Sequence, residues 1–327
     1  MSHKPRFKIA LLLLALVAWL AVAVYGYTQT ITSTSSDGKK LTRVVVGYQK
    51  ADPADISRQR GELAKKMKAK GYKVVFKEFQ SGAALMTALK SGNIDYARLG
   101  DTPPVVNQAS GLDLVYIGAG ASKEYGTGVL VGKNSGITSI KQLKGKRIAY
   151  AKGTAAEFTI IQVLAKAGLT TKDVTLVNMD QGAASVAFAK GNVDAWVTWD
   201  PYTATAQVQQ DAKLLTNAKG LAMNRDFVVA TRKYAKNHTK VSSLLIKYMG
   251  QDMTWATKHP TELIDMLSKT LKLSKKIMKL TVERRTFSMA PVTDAIVAEQ
   301  QKIADVFYEQ GIITKKIDIT DALLDSK

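Results

Sequence analysis

Short apolar runs alternate with helical spacing along most of this chain, and the two patterns arrive in a regular order. Val44-Val45-Val46-Gly47-Tyr48-Gln49 and Arg147-Ile148-Ala149-Tyr150-Ala151-Lys152-Gly153-Thr154 read as apolar strands that end in polar turns. A Gly-Ala-Ala triplet opens a helical stretch at Gly82 and another at Gly182, and each is followed by a short strand and an aspartate turn. Ala155 to Ala167 and Pro201 to Asp211 have helical spacing, and Phe227 to Ala230 predicts a strand. From Lys233 onward helical spacing dominates, over Val241 to Lys258, Pro260 to Leu271, Ser274 to Arg285 and Val292 to Gln310. Alternating strand and helix predict an α/β protein with parallel-type sheets, on whose first lobe the helical tail packs.

The order repeats because the sequence repeats. Gly92-Asn93-Ile94-Asp95 matches Gly191-Asn192-Val193-Asp194, and Asp101 matches Asp200 at the same offset of 99 residues. A shared tetrapeptide followed by a second aspartate at equal spacing points to duplication and so to two lobes. The expected division is 41–129 with 231–327 in the first lobe and 130–230 in the second. Open α/β sheets bind ligands beyond the carboxyl ends of their strands. Two facing lobes would therefore bring Gln49, the Ser81-Gly82 turn, Gly100-Asp101-Thr102, Gly153-Thr154 and Trp199-Asp200 to one cleft.

The chain's start gives its compartment. Lys4, Arg6 and Lys8 precede an uncharged run from Ile9 to Val24, the pattern of an export signal. The run continues to Tyr27, and nineteen residues rising about 1.5 Å each span roughly 28 Å, enough for a bilayer's hydrocarbon. Residues 1–27 are thus either a signal peptide, cleaved near Ala21-Val22-Ala23, or a retained membrane anchor, with the basic residues on the cytoplasmic side. Residues 28–40, rich in Thr, Ser, Asp and Gly, read as a flexible linker to an extracytoplasmic body.

Composition removes whole classes of function. There are 327 residues, which suits about two folding units, and no cysteine, which excludes disulfides, thiolate nucleophiles and iron–sulfur clusters. His3, His238 and His259 are too scattered for a metal site, so neither metal nor cofactor is expected. The net charge of +20 raises the question of an anionic partner. Nucleic acid does not fit, because the basic residues form no long block and no recognition motif is present; a solvated basic surface facing an anionic envelope does. No P-loop, dinucleotide fingerprint or catalytic triad can be assembled, so binding without catalysis by a monomer is the economical reading.

Asp101 before Thr102-Pro103-Pro104 and Asp200 before Pro201 fit helix N-caps with proline in the first turn. A capped helix start still presents N–H groups and the positive dipole end to a ligand, and Thr154 adds a hydroxyl. Such a site suits a small, strongly acidic oxyanion such as a sulfonate, held by hydrogen bonds rather than by a full positive charge. Trp199 and Tyr125 could line the pocket for an organic tail, although core packing suits either ring equally.

Gly47-Tyr48-Gln49-Lys50, the Gly100 to Pro104 turn, Leu143 to Arg147 followed by Lys152-Gly153-Thr154, the run Gly191 to Pro201 and the run Gln300 to Gly311 resemble, in order, the aliphatic sulfonate-binding proteins of ABC importers. These belong to the nitrate, sulfonate and taurine group, and the resemblance runs from about Arg43 to about Ala322. It implies a type II periplasmic-binding-protein fold, two α/β lobes joined by a two-strand hinge. It also implies closure on an organosulfonate anion, which is delivered to the transmembrane permease subunits. Taurine, nitrate or a thiamine precursor are alternatives within the group. An enzyme on this scaffold, such as a desulfinase, is the rival from another class, and those lean on a cysteine that this chain lacks. Gln49, Asp101, Thr102, Thr154, Trp199 and Asp200 carry over as contacts. Relatives often have a His-aromatic pair after the Lys-Gly-(Ser/Thr) turn; here Glu157-Phe158 stands there. A carboxylate at the cleft would repel an anion or pair with an amine, which favours an aminosulfonate, unless Glu157 faces solvent.

Overall fold

Residues 44–48 form a strand whose two faces are both apolar, so both need cover. The computed structural model describes residues 32–34 and 40–324, and it buries that strand at the middle of a layered lobe. The first lobe begins with β1 (Thr32–Thr34) antiparallel to β2 (Lys40–Tyr48). It continues through α1 (Pro53–Arg60), α2 (Glu62–Ala69), β3 (Tyr72–Glu78), α3 (Gly82–Lys90), β4 (Tyr96–Gly100), α4 (Thr102–Ala109) and β5 (Leu114–Gly120). The chain then crosses to the second lobe: β6 (Thr127–Val131), β7 (Arg147–Tyr150), α5 (Ala155–Lys166), β8 (Thr175–Asn178), α6 (Gln181–Ala189), β9 (Ala195–Trp199), α7 (Tyr202–Gln209) and β10 (Lys213–Asn217). It returns with β11 (Asp226–Thr231), α8 (Arg232–Asn237), α9 (Thr239–Lys258), α10 (Pro260–Leu271), α11 (Lys275–Glu283), β12 (Met289–Ala290) and α12 (Asp294–Glu309).

The duplication is visible in the topology. The first sheet runs β3, β2, β4 in parallel, then an antiparallel β11, then β5. The second runs β8, β7, β9 in parallel, then an antiparallel β6, then β10. The sheets are therefore mixed rather than parallel-type. In each, the antiparallel strand is the one that has just crossed from the other lobe, which neither half could supply from its own sequence. By pairing, Thr127–Val131 belongs to the second sheet and Asp226–Thr231 to the first, a few residues ahead of the changeovers expected at 129/130 and 230/231.

Alternate residues of the strands feed opposite faces. Val44 and Val46 enter one cluster with Leu245 and Met249 of α9, whereas Val45 enters another with Leu85 and Leu89 of α3. The second sheet divides likewise, Val129 and Val131 packing with Ile160 and Leu164 of α5, and Leu130 with Phe188 of α6. The tail packs on the first lobe as expected, α9 on α1 and α2 and α12 on α4, while α11 reaches α7 of the second lobe.

The expected signal or anchor, residues 1–27, lies outside the described residues, among which no helix is long and apolar enough to cross a membrane. Within the expected linker, Thr32–Thr34 form β1 in register with Lys40–Thr42 rather than a free tether; β-branched threonine favours a strand when an edge is available.

Candidate functional site

Two segments, 121–126 and 218–225, carry the chain between the lobes and run side by side. The Lys123 N–H donates to the Met223 carbonyl at 2.8 Å and the Ala218 N–H to the Glu124 carbonyl at 3.0 Å. A buried charge cluster sits against them. Asp226, fully buried at the start of β11, accepts from Lys123 Nζ at 2.6 Å and from Arg285 Nη2 at 2.9 Å, and it also pairs with Arg98 of β4. Arg98 in turn lies 3.4 Å from Asp52, the N-cap of α1. Loss of water penalises each of these charges. It pulls Lys123 well below its ordinary value, lowers Arg98, brings Arg285 down to about 10 and pushes Asp52 up to about 6.

Beside the cluster lies a pocket lined by Lys123 of the first crossing, Trp199 and Asp200 of the second lobe, and Thr281, Arg284 and Arg285 of the first. The expected N-cap role of Asp200 is corrected by one residue, since the helix starts at Tyr202 with Pro201 in the cap position. From just before the cap, Asp200 Oδ1 accepts the Ala204 N–H at 2.9 Å and lies 3.4 Å from Arg284 Nη1. Arg284 Nη2 donates to Gln207 Oε1 of α7 at 2.6 Å, so this one side chain grips the second lobe twice. Burial pushes Asp200 up to about 6, against the pull of Arg284. Gly126 also lines the pocket, and the Asp200 N–H donates to its carbonyl at 2.9 Å. A Cβ at Gly126 would stand 2.3 Å from Asp200 Oδ2, which leaves only glycine able to occupy the position without displacing the carboxylate.

Asp101 lines a second recess, with Phe158, Leu221, Met223, Arg225 and Gln300. Its expected capping role is corrected: its backbone is already helical (φ −70°, ψ −38°) and its side chain makes no cap bond. Oδ1 accepts the Thr102 hydroxyl at 3.0 Å instead, and Gln300 Nε2 donates to the Asp101 carbonyl at 2.8 Å. Burial raises the Asp101 carboxyl while Lys123 opposes the rise.

The remaining predicted donors are engaged within the protein. The Gln49 N–H donates to Asp52 Oδ2 at 2.7 Å and Gln49 Nε2 to the Gln80 carbonyl at 3.4 Å. Ser81 caps α3 through the Ala84 N–H, and Gly82 lies against the Pro103 ring. Gly100 ends β4 and Thr102 is fully buried. The Thr154 hydroxyl donates to the Ala151 carbonyl at 2.7 Å and accepts the Ala156 N–H at 3.2 Å. The Gly153 N–H donates to Glu157 Oε2 at 2.7 Å. Glu157 therefore faces neither solvent nor an open cleft; it is buried on its own turn, and burial raises its carboxyl. Tyr125 is 43% exposed, its ring under Lys219 Nζ at 5.5 Å, and it does not line the pocket.

Comparison with known proteins places this two-lobe fold in a family. Residues 67–263, more than half of the chain, match the family described as NMT1/THI5 like. The chain belongs to the NMT1/THI5-like family. This NMT1/THI5-like protein is 33% identical to an Escherichia coli relative named for binding aliphatic sulfonates, over 84% of this chain and 86% of that one. Its fold matches the crystal structure of the periplasmic aliphatic sulphonate binding protein SsuA from Escherichia coli with a TM-score of 0.81 at 30% identity, over 86% and 91% of the two chains. The alkanesulfonate-binding protein SsuA from Xanthomonas axonopodis pv. citri, bound to MOPS, matches with a TM-score of 0.80 at 31% identity, over 86% and 97%. The periplasmic-binding-protein fold expected from the sequence is thus the fold of this chain.

Sequence reasoning missed the cations of the pocket. The Arg284-Arg285 doublet follows α11 directly, and Lys123 stands two residues before Tyr125, but only the packing of α11 on α7 brings them to Asp200. The internal engagement of Gly153 was not legible: Thr154-x-x-Glu157 has the spacing of a capping box, in which Glu157 would accept the Thr154 N–H, whereas it accepts the Gly153 N–H one residue earlier.

Proposed function

We propose that the protein is an extracytoplasmic solute-binding protein of an ABC importer, which captures aliphatic sulfonates between its lobes and delivers them to the membrane permease. The observation that carries this reading is the convergence of Lys123, Arg284 and Arg285 with the Trp199 indole in one pocket between the lobes. A sulfonate stays ionised at any ordinary pH, so guanidinium groups can hold it by charge-assisted hydrogen bonds, and the indole suits an aliphatic tail. The names of the relatives, similar over most of both chains, support the same ligand class.

Arg284 belongs to the first lobe, yet bonds to Asp200 and Gln207 of the second. An anion beside it therefore acts on both lobes, and the ligand favours closure by as much as it prefers the closed arrangement. No step in this cycle makes or breaks a bond, so the protein acts as a receptor rather than an enzyme. Gln49, Thr102 and Thr154 shape the cleft through their internal hydrogen bonds. Residues 1–27 serve as export signal or anchor, and the permease is the protein partner.

Calorimetric titration of the full chain with alkanesulfonates, taurine, nitrate, sulfate and a thiamine-precursor pyrimidine tests the reading. Heat with organosulfonates is expected. Saturable binding of another ligand with none of any organosulfonate would overturn it, and release of sulfite on incubation would point to catalysis.

A further inference from the structure

The interlobe pocket holds two buried polar atoms that have no hydrogen-bond partner in the protein: Asp200 Oδ2 and Arg285 Nε. One requires a donor and the other an acceptor. Both side chains are committed on their other atoms, Asp200 Oδ1 to the Ala204 N–H and Arg284, and Arg285 Nη2 to Asp226. The Asp200 side chain is only 8% exposed, so water is a poor substitute, and Oδ2 itself packs against the bare Cα of Gly126. A bound sulfonate oxygen satisfies Arg285 Nε. It does nothing for Asp200, and its charge repels that carboxylate.

The charges that face Asp200 are Arg284 and Arg285 from the segment after α11 and Lys123 from the first crossing; Thr281 of α11, Gly126 and Trp199 are neutral. Lys123 and Arg285 are already shared with Asp226, so Asp200 relies chiefly on Arg284. An anion that competes for Arg284 leaves Asp200 uncompensated in a buried place.

Building on the sulfonate reading above, we propose that Asp200 senses the rest of the ligand: it accepts a hydrogen bond from a protonated amine where the sulfonate carries one, and it takes a proton from solvent where the ligand is a plain alkanesulfonate. Uptake of a plain alkanesulfonate is then coupled to a proton, whereas uptake of an aminosulfonate is not. The position of the Asp200 carboxyl, pushed up to about 6 by burial, puts that proton within easy reach near neutral pH.

Calorimetry of the full chain at pH 7.5, in two buffers of different ionisation enthalpy, reads the protons directly. Ethanesulfonate should bind with uptake approaching one proton per ligand and should tighten as pH falls to about 5.5, whereas 2-aminoethanesulfonate should bind with almost none. Asp200→Asn should abolish the proton uptake, tighten ethanesulfonate at pH 8 by about tenfold and weaken 2-aminoethanesulfonate by a similar factor. Equal proton uptake by the two ligands in the unaltered protein would overturn the proposal while leaving sulfonate binding intact. Failure of every organosulfonate to bind would remove both readings.

Discussion

Asp95 and Asp194, one in each lobe, hold their neighbouring strand in the same way. Asp95 Oδ2 accepts the Val45 N–H of β2 at 2.7 Å while the Asp95 N–H donates to the Val45 carbonyl at 2.9 Å. Asp194 Oδ2 accepts the Arg147 N–H of β7 at 2.7 Å, and the Asp194 N–H donates to the Arg147 carbonyl at 2.8 Å. In both lobes this clamp lies one residue before the parallel pairing of the strands begins, at Val46 with Tyr96 and at Ile148 with Ala195. The repeated aspartate therefore sets register, and the glycine three residues earlier (φ 72° at Gly92, 69° at Gly191) turns the chain out of its helix to deliver it.

The two clamps should differ in worth. The Asp194 side chain is 36% exposed, and water can replace what it gives, whereas Asp95 sits where burial already raises its carboxyl. Asp95→Ala should cost about 2 kcal/mol and Asp194→Ala about 1 kcal/mol, because a buried backbone donor left without an acceptor is the costlier loss. Urea unfolding of the two variants checks the order; equal costs would mean that the clamp does not depend on burial.

Stability should rise on mild acidification. Burial raises the carboxyls of Asp52 and Asp200 to about 6, and those of Asp95, Asp101, Glu157 and Asp252 also move up. A carboxyl whose folded value exceeds its unfolded value contributes stability that is fully present below the unfolded value, near 3.8, and is lost as pH rises through about 6. Two kinds of group work in the opposite sense. The exposed Asp173 and Asp318, held low by hydrogen bonds from Thr170 and Thr320, titrate at lower pH. Lys123, whose ammonium burial pulls well below its ordinary value, loses stability as pH falls but stands alone against the raised carboxyls. The thermal midpoint should therefore be higher at pH 5 than at pH 8. Asp52→Asn should flatten the difference, whatever its effect on the midpoint itself. A midpoint that falls steadily from pH 8 to pH 5 would contradict this balance.

Gly126→Ala tests the close approach to Asp200. A Cβ only 2.3 Å from Oδ2 forces the carboxylate or the crossing to move, and overpacking of this kind costs about 1–3 kcal/mol. Gly132→Ala is the control, since a Cβ there meets nothing closer than 4.0 Å. Ligand titration and melting of the pair should show loss of affinity and stability in the first and little change in the second. Retained affinity in Gly126→Ala would detach Asp200 from the ligand site.

How much of this could be read from the chain depends on the range of the interaction concerned. The repeat, the helices from Val241 to Gln310 and the strand at Phe227 rest on spacing within single elements, and they recur in the fold with ends shifted by only a few residues. What spacing could not supply was any relation that crosses between halves. The antiparallel places of β6 and β11 in each other's sheets are one case. Arg284, 84 residues from Asp200 in the chain and 3.4 Å from it in space, is another. The helix starts were located well, but their donors were not free, because short-range partners such as Glu157 and Asp52 satisfy them first.

Phe158 is where the lobes should be most sensitive to one substitution. It belongs to α5 of the second lobe, yet its side chain is buried with the apolar cluster of the first, its ring 6.3 Å from that of Phe307 of α12, and Ile161 accompanies it. Truncating a phenylalanine inside a rigid core costs about 3–5 kcal/mol, because the cavity persists. Between lobes joined by only two crossings the cavity need not persist, since the lobes can part and let water reach both faces. Phe158→Ala should thus appear as opening rather than as unfolding. Small-angle X-ray scattering should give a larger radius of gyration than the unaltered protein in the absence of ligand, and a saturating sulfonate should restore it. Affinity should drop by whatever closure has lost, while the melting midpoint with ligand bound changes little. An unchanged radius of gyration together with a midpoint many degrees lower would mean that Phe158 supports a fixed core, and that the two lobes do not move apart about these crossings.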